Sequence, residues 1–330
     1  MLFRSRSAIR VFGFVLIMSL TALVLPANSQ VKDFPNKPIT IVVPWPAGAG
    51  TDLGTRALAP ALSKMLGVSV NVVNKPGGSG VIGTLEVVKS LPDGYTLLAE
   101  IGGTSSIQSA WFQDLPYKLE ERTYIARTIC SPQTLIVPGS SPWKAVEELV
   151  SAIRTNPSDF SFGLAGGAGA PDVCIAQFRA AMATKGVDIS KTRMVNYKGA
   201  GEALLAVAGG HVQVGFASPS GIISLISAGK LRALAVSSAG RFKDWPDVPT
   251  TAEAGFPSVS LVFWVGLSGP PGLPSNVVKI LENAVRESLS TPDVTAKLDK
   301  MGFEPFYESG DKYWKFILDE REAIKALKLK

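Results

Sequence analysis

Three features of the sequence predict an α/β fold. Short β-branched runs such as "ITIVVP" and "VSVNVVN" alternate with amphipathic stretches of helical period, the pattern of parallel strands covered by helices. Glycine-rich loops lead from a strand to a helix at "AGAGTD", "KPGGSG", "AGGAGAPD" and "NYKGAGEA". The chain has 330 residues, 46% of them hydrophobic, which is ample for buried cores in one large or two ordinary domains.

Residues 1–29 stand apart from that pattern. Arg4, Arg6 and Arg10 precede an apolar run over 11–25, and "PANSQ" then offers small residues before a cut, expected after Ser29. The run is shorter than the roughly 20 residues that span a bilayer and is interrupted by Ser19 and Thr21, so it reads as a cleaved export signal. No cysteine follows it to carry a lipid, and the mature chain is expected free in the periplasm.

Next, "ITIVVP" is a buried strand. From Leu53 the apolar residues Ala57, Leu58, Ala61, Leu62, Met65 and Leu66 line one helical face, closed by Gly67, with Pro60 expected to kink it. "VSVNVVN" is a second strand, followed by "KPGGSG", a helix through 81–88, the turn "PDG" and a third strand, "YTLLAE". Right-handed crossovers of this kind place both loops at the carboxyl edge of the sheet. After "QTLIVP" the pattern restarts: Ser141 and Pro142 open a helix to about Arg154, and "FSFGLAGGAGAPD" and "RMVNYKGAG" each join a strand to a helix. "HVQVGFA" and "LRALAVSS" are later strands, with a helix over 219–228 between them and Gly229 as its cap. Beyond residue 241 lie the loop "DWPDVPTTAEAGFP", the strand "LVFWVGL" and helices beginning near Ser275, Pro292 and Ser309. Two such units are either sequential domains or one domain inserted into another.

Composition removes several classes of function. The formal charge of +6 falls to +3 once the three leader arginines are removed, leaving 30 basic against 27 acidic residues. With no basic run and no aromatic-rich strand motif, nucleic acid is not an expected partner. His211 is the only histidine and reads as a surface or hairpin residue, and with two cysteines the chain has neither a metal-ligand cluster nor a catalytic base pattern. Cys130 and Cys174 are expected as buried free thiols, since nothing in the spacing brings them together. No cofactor and no metal is expected.

The loop "PWPAGAGTD" fails as a dinucleotide fingerprint. The third glycine position is Leu53, and the second strand ends in Asn74 and Lys75 where an acid would hold ribose. No phosphate-binding G-x-x-x-x-G-K-[ST] loop is present. Asp52 reads as an N-cap or first-turn acid. What recurs is a glycine loop opening onto a helix N-terminus, whose free N–H groups, backed by the helix dipole, bind carboxylate or phosphate without a basic side chain. For any one loop the ordinary explanation is tight packing, but four together favour an anion clamp. Trp45 and Tyr197 flank two of these loops and are placed to cover a ligand's apolar body, against the plainer reading of core packing. Thr104 and Ser105, in "GGTSS", add hydroxyls at the same edge.

The motifs "ITIVVPWPAGAGTDLGTRALAPALSKMLG", "VNVVNKPGGSGVIGT", "PDGYTLL", "VNYKGAGEALLAVAGGHVQVGFA", "GKLRALAVSSAGRFKDWPDVPTTAEAGFP" and "WVGLSGPPGLP" run through nearly all the mature chain. In this order and spacing the sequence resembles the periplasmic solute receptors of tripartite tricarboxylate transporters, also called Bug-type receptors. The resemblance implies a two-domain periplasmic-binding-protein (Venus flytrap) fold, type II-like, with the second domain inserted into the first. Domain I is then 30–131 with 238–330, and domain II is 132–237, the chain crossing the hinge near Pro132 and near Ser237. It implies a monomer that performs no chemistry and delivers a small carboxylate to a membrane permease. By matching position it implies ligand contacts at Trp45, Ala47, Gly48, Ala49 and Thr51, at Gly77, Gly78 and Ser79, at Ala165, Gly166, Gly167, Ala168, Gly169 and Ala170, at Tyr197, and at Ala217 and Ser218. Two loops depart from the family's pattern. "GLAGGAGAPDV" lacks its serine and histidine and "GGTSSIQSAWF" lacks its Asn-Pro, which implies a less polar distal pocket.

Two other readings share this scaffold. One is an exported hydrolase or lyase using Asp52 or another carboxylate, which turnover of a ligand would reveal. The other is a sensor that presents its ligand to a membrane kinase, which a pull-down would reveal.

Overall fold

The computed structural model describes residues 34–112, 114–166 and 169–327. The expected export signal, with its cut after Ser29, lies outside the described residues. Among the described residues no helix is long and apolar enough to cross a membrane.

The first segment runs β1 (Ile39–Val43), α1 (Gly50–Leu66), β2 (Val70–Asn74), α2 (Val81–Val88), β3 (Thr96–Glu100), α3 (Ser106–Trp111) and β4 (Thr123–Ser131). The second holds β5 (Thr134–Pro138), α4 (Val146–Thr155), β6 (Ser161–Leu164), α5 (Ala170–Thr184), β7 (Arg193–Asn196), α6 (Ala200–Ala208), β8 (Gly215–Ala217), α7 (Pro219–Ser227) and β9 (Leu231–Val236). The last holds β10 (Phe263–Gly269), α8 (Ser275–Leu289), α9 (Pro292–Lys300), β11 (Glu304–Ser309) and α10 (Gly310–Lys325).

First and last segments share one six-stranded sheet, ordered β11-β4-β10-β3-β1-β2. β1 is parallel to both β2 and β3, with Ile41 opposite Val72 and Leu97, so the loops after all three strands leave the same sheet edge. Ile41, Val42, Val43, Leu97 and Leu98 are buried, the near-continuous apolar pattern of strands covered on both faces. β10 returns antiparallel between β3 and β4. The middle segment builds its own sheets. β5 pairs antiparallel with β8 and β9, and β6 pairs parallel with β7. A parallel bridge between Phe162 and Val214 joins the two.

α1 continues through Pro60 to Leu66, and Gly67, at φ 69°, turns the chain left-handed at its end, a conformation that glycine adopts without a Cβ penalty. α4 begins at Val146, later than expected, because residues 141–145 form a turn in which the Ser141 hydroxyl donates to Pro138 O and Glu148 accepts from Lys144 N. The strand expected over "HVQVGFA" shortens to Gly215–Ala217, and His211 is exposed ahead of it. β4 and β11 were not anticipated. Arg127 puts a charge in the apolar run of β4, where Phe306 and Phe316 face its guanidinium at 4.3 and 3.7 Å from their ring centroids and Glu308 pairs with it at 3.1 Å. β11 lacks a buried face of its own, since none of its residues is fully buried.

One core cluster gathers α4, α5, β5 and β9 with Phe256, Val259 and Leu261. Phe256 packs on Phe178 with ring centroids 5.0 Å apart, and the Gln177 carbonyl accepts from the amides of Ser260 and Leu261. Residues 250–261 therefore pack on the middle segment before β10 joins the large sheet. Cys174 is buried in this cluster and Cys130 lies on β4; both are free thiols. Burial and neighbouring Glu304 push the Cys130 thiol up to about 11.

Candidate functional site

β1 delivers the segment 44–49 to the start of α1. The Gly48 amide donates to Asp52 Oδ2 at 2.9 Å, and Asp52 Oδ1 accepts from Arg56 Nε at 2.8 Å and Asn74 Nδ2 at 2.9 Å. Burial by itself would push Asp52 up, but the donors from Gly48, Asn74 and Arg56 outweigh it and hold the carboxyl below its ordinary value. Asn74 Nδ2 also lies 3.1 Å from Trp45 O, tying the end of β2 to the loop after β1. Asp52 closes the loop on the helix's first turn. Among the described residues no protein acceptor takes the N–H of Gly50, Thr51 or Asp52, the orphan donors that every helix start leaves.

The loop after β2 lies against the first. A Cβ at Gly80, where φ is 91°, would stand 2.6 Å from Thr104 Cγ2 and 3.5 Å from Trp45 Cζ2, so only glycine lets the indole and the third loop approach this closely. Trp45 Nε1 is buried without a hydrogen-bond partner. Thr104 and Ser105 are buried, and both hydroxyls donate to Ile101 O, at 3.0 and 2.9 Å.

The middle segment repeats the device. Asp172, in the first turn of α5, accepts from Gly169 N at 2.9 Å and from Ala165 N at 2.5 Å, which folds the loop after β6 back on the helix. Glu202, in the first turn of α6, accepts from Lys198 N at 3.1 Å. Three glycine loops are thus each closed by an acid from the helix they introduce. Among the described residues, Gly166 N and the amides of Ala200, Gly201 and Glu202 have no protein acceptor.

These loops surround a cleft of about 580 Å³. Of the residues expected at a site, Trp45, Gly48, Ala49, Thr51, Ser79, Ala165, Gly166, Gly169, Ala170, Ala217 and Ser218 line it. Ala47, Gly77, Gly78, Thr104 and Ser105 border these loops without being part of the lining, and Tyr197 packs on the cluster of Ile136, Val207 and Ile222. Gly167 and Ala168 lie outside the described residues. The walls also contain residues that the motifs did not single out, among them Ile101, Gln133, Leu204, Phe263, Trp264 and Phe303. Lys198 is the one charged lining residue among those described, and beside it the polar lining is backbone amides, the Gln133 amide and a few hydroxyls. Phe263 and Phe303 stack at 6.0 Å, and a Cβ at Gly50 would stand 3.4 Å from Phe263, which sets an aromatic floor against the start of α1. The sequence held no signal for these residues, because a wall residue from β10 or β11 looks like any core apolar residue until the sheet order is known.

Gln133 sits at the start of β5 and is fully buried. Its Nε2 donates to Ser218 Oγ at 2.7 Å, and its N–H donates to Ser237 Oγ at 2.9 Å. Ser237 Oγ in turn donates to Leu261 O at 2.7 Å, so the start of β5, the residue after β9 and the segment before β10 meet at one hydroxyl.

Residues 55–329 match the model of the tripartite tricarboxylate transporter family receptor. The chain is 29% identical to the protein BugT of Bordetella pertussis, with 90% of each chain covered. Among solved structures it resembles the Rhodopseudomonas palustris protein Rpa4515 with adipate, at a TM-score of 0.80 and 28% identity over 89% of this chain and 97% of that one. It also resembles MatC of the same organism with bound malate, at a TM-score of 0.77 and 26% identity over 89% and 99%. The fold is that of two-domain periplasmic solute-binding proteins, the second domain inserted into the first, and these relatives are binding receptors, not enzymes. The chain belongs to the family of tripartite tricarboxylate transporter receptors.

Proposed function

We propose that this receptor captures a small organic carboxylate in the cleft and presents it to the permease of a tripartite tricarboxylate-type transporter. One observation carries the reading: loops from both sheet systems, each closed by a first-turn acid, leave helix-initial amides unpaired around one cavity. Such amides and the helix dipole stabilise an anion without a basic side chain. The proteins with adipate and with malate support a carboxylate as the guest. The amides suit any carboxylate, so Trp45, Gln133, Ser218 and the aromatic floor select the remainder, because a buried polar group left unmet costs affinity.

We further propose residues 1–29 as the export signal, a monomer as the working state, and a hinge whose crossings lie at 131–133 and 261–263. The second crossing replaces the position near Ser237 expected from the sequence. The packing of Phe256 on Phe178 and the bonds from Ser260 and Leu261 to Gln177 support that shift.

A thermal-shift panel of mono-, di- and tricarboxylates, adipate and malate included, tests the reading. At 100 times the dissociation constant a ligand adds about 2.7 kcal/mol of apparent stability. No shift with any acid, together with native mass spectra showing no retained acid, would overturn it.

A further inference from the structure

The loop after β2 holds a left-handed backbone that its three glycines adopt freely and its one serine does not. Gly77, Gly78, Ser79 and Gly80 have φ of 132°, 55°, 53° and 91°, four consecutive residues on the left-handed side. Ser79 is the only non-glycine residue with positive φ among those described. An L residue adopts this conformation rarely, and it persists where surrounding contacts over-determine it. Gly80 N and Ile82 N both donate to Gly77 O, at 3.1 and 3.3 Å, and close the turn. The N–H groups of Gly78 and Ser79 take no protein acceptor among the described residues, and Ser79 lines the cleft.

One side chain reaches this turn from elsewhere in the fold. Gln108, on α3 and only 2% exposed, donates from Nε2 to Ser79 O at 3.0 Å. Its Oε1 accepts from the Tyr117 hydroxyl, so the amide is fixed at both ends and its orientation is set. Tyr117 is buried and has the Arg122 guanidinium 5.1 Å from its ring centroid. Arg122 pairs with Glu100 and donates to Thr104 O at 3.1 Å, and Glu100 accepts from Ser268 at 2.5 Å. This buried network lies beneath the loops after β2 and β3, and Gln108 is the member that bonds to Ser79.

We infer that Gln108 is a positioning residue for the cleft: it holds the left-handed turn at Ser79, and with it the unpaired amides of Gly78 and Ser79, in the geometry that receives an anion. The inference rests on the carboxylate reading of the cleft. A donor on Ser79 O fixes the peptide plane between Ser79 and Gly80, and so sets where the neighbouring N–H groups point. Without it, the glycines on either side leave the turn free to relax.

Gln108→Met keeps the length of the side chain and removes the donor. Amide hydrogen exchange of the ligand-free variant is expected to quicken about tenfold at Gly80 and Ile82, with the amides of β1 and β3 unchanged. The dissociation constant for whichever of adipate or malate binds the wild type is expected to rise about five- to tenfold. Exchange at Gly80 and Ile82 that stays at the wild-type rate, or that rises uniformly with the strands, overturns the inference, because both mark an ordinary core residue. If the variant does not fold, Tyr117→Phe loosens one end of the Gln108 amide. It should quicken the same two amides about two- to threefold, and no change there is equally fatal. A wild-type protein that binds no carboxylate removes the receptor reading alone, since exchange in the free protein still decides the role of Gln108.

Discussion

The Gly48 amide donates to Asp52 Oδ2 at 2.9 Å, so the helix that follows the first glycine loop reaches back and closes it. Asp52→Ala leaves Gly48 N, Asn74 Nδ2 and Arg56 Nε without their shared acceptor. The expected loss is about 1–3 kcal/mol of stability, read from denaturant unfolding, with weaker ligand binding alongside. The folded Asp52 carboxyl lies below its ordinary value of 3.8. Its contribution is therefore present above that value and lost as pH falls through the lower folded one. Acid titration of wild type and variant should converge there. A constant gap between the two curves down to strong acid contradicts the assignment.

Gly201 offers a test of the cleft that leaves the fold alone. It lines the cavity in the first turn of α6, and a Cβ added there meets nothing within 4 Å. Gly201→Val should weaken carboxylate binding by tenfold or more while the melting temperature holds or rises slightly, since in a helix glycine is worse than valine by roughly 0.3 kcal/mol. Unchanged affinity removes this wall from the site. Gly78→Val is less informative, because Gly78 has φ of 55° and a β-branched residue strains the turn itself.

Ser237 joins Gln133 to Leu261 through one hydroxyl. Ser237→Ala leaves Gln133 N without an acceptor and Leu261 O with only the Cys174 thiol, at 3.4 Å, and is expected to cost about 1–3 kcal/mol. If these segments are the hinge, small-angle scattering should also record a change in the difference between the ligand-free and ligand-bound envelopes. A stability loss with an identical difference places the bond in the core and not in the hinge.

Glu320 lies between α3 and β10, where it accepts from Ser106 Oγ and from Trp264 Nε1 at 3.1 Å. Desolvation, only partly opposed by these two donors and by Arg127, raises its carboxyl from 4.5 to about 7. The folded chain thus holds this proton more tightly than the unfolded one, and stability falls as pH rises between those two values. Glu320→Gln should flatten the pH dependence of the melting temperature between pH 5 and pH 8, by at most about 3 kcal/mol. An equal slope in both proteins counts against it.

The α/β class, the strands "ITIVVP" and "YTLLAE", and the loops that open onto α1, α2, α5 and α6 were legible because each is written locally, in a period of apolar residues or in a run of glycines. β4 and β11 were not, since Arg127 and the half-buried "EPFYES" acquire partners only from α10 and from each other. Thr104 and Ser105 are expected from the sequence as ligand hydroxyls, and what the sequence did not show is that both donate to Ile101 O.

The sequence by itself determined where the helices after the glycine loops begin, where glycine exposes backbone donors, and which family the order of motifs resembles. These depend on neighbours a few residues apart. Tertiary structure decided which donors remain unpaired, because Asp52, Asp172 and Glu202 each take up particular loop amides and leave others. It also decided that Phe263 and Phe303 floor the cleft, that Gln108 reaches Ser79, and that Ser237 gathers Gln133 and Leu261. Such contacts join residues far apart in the chain, and their partners are fixed only when the strands take their order in the sheet.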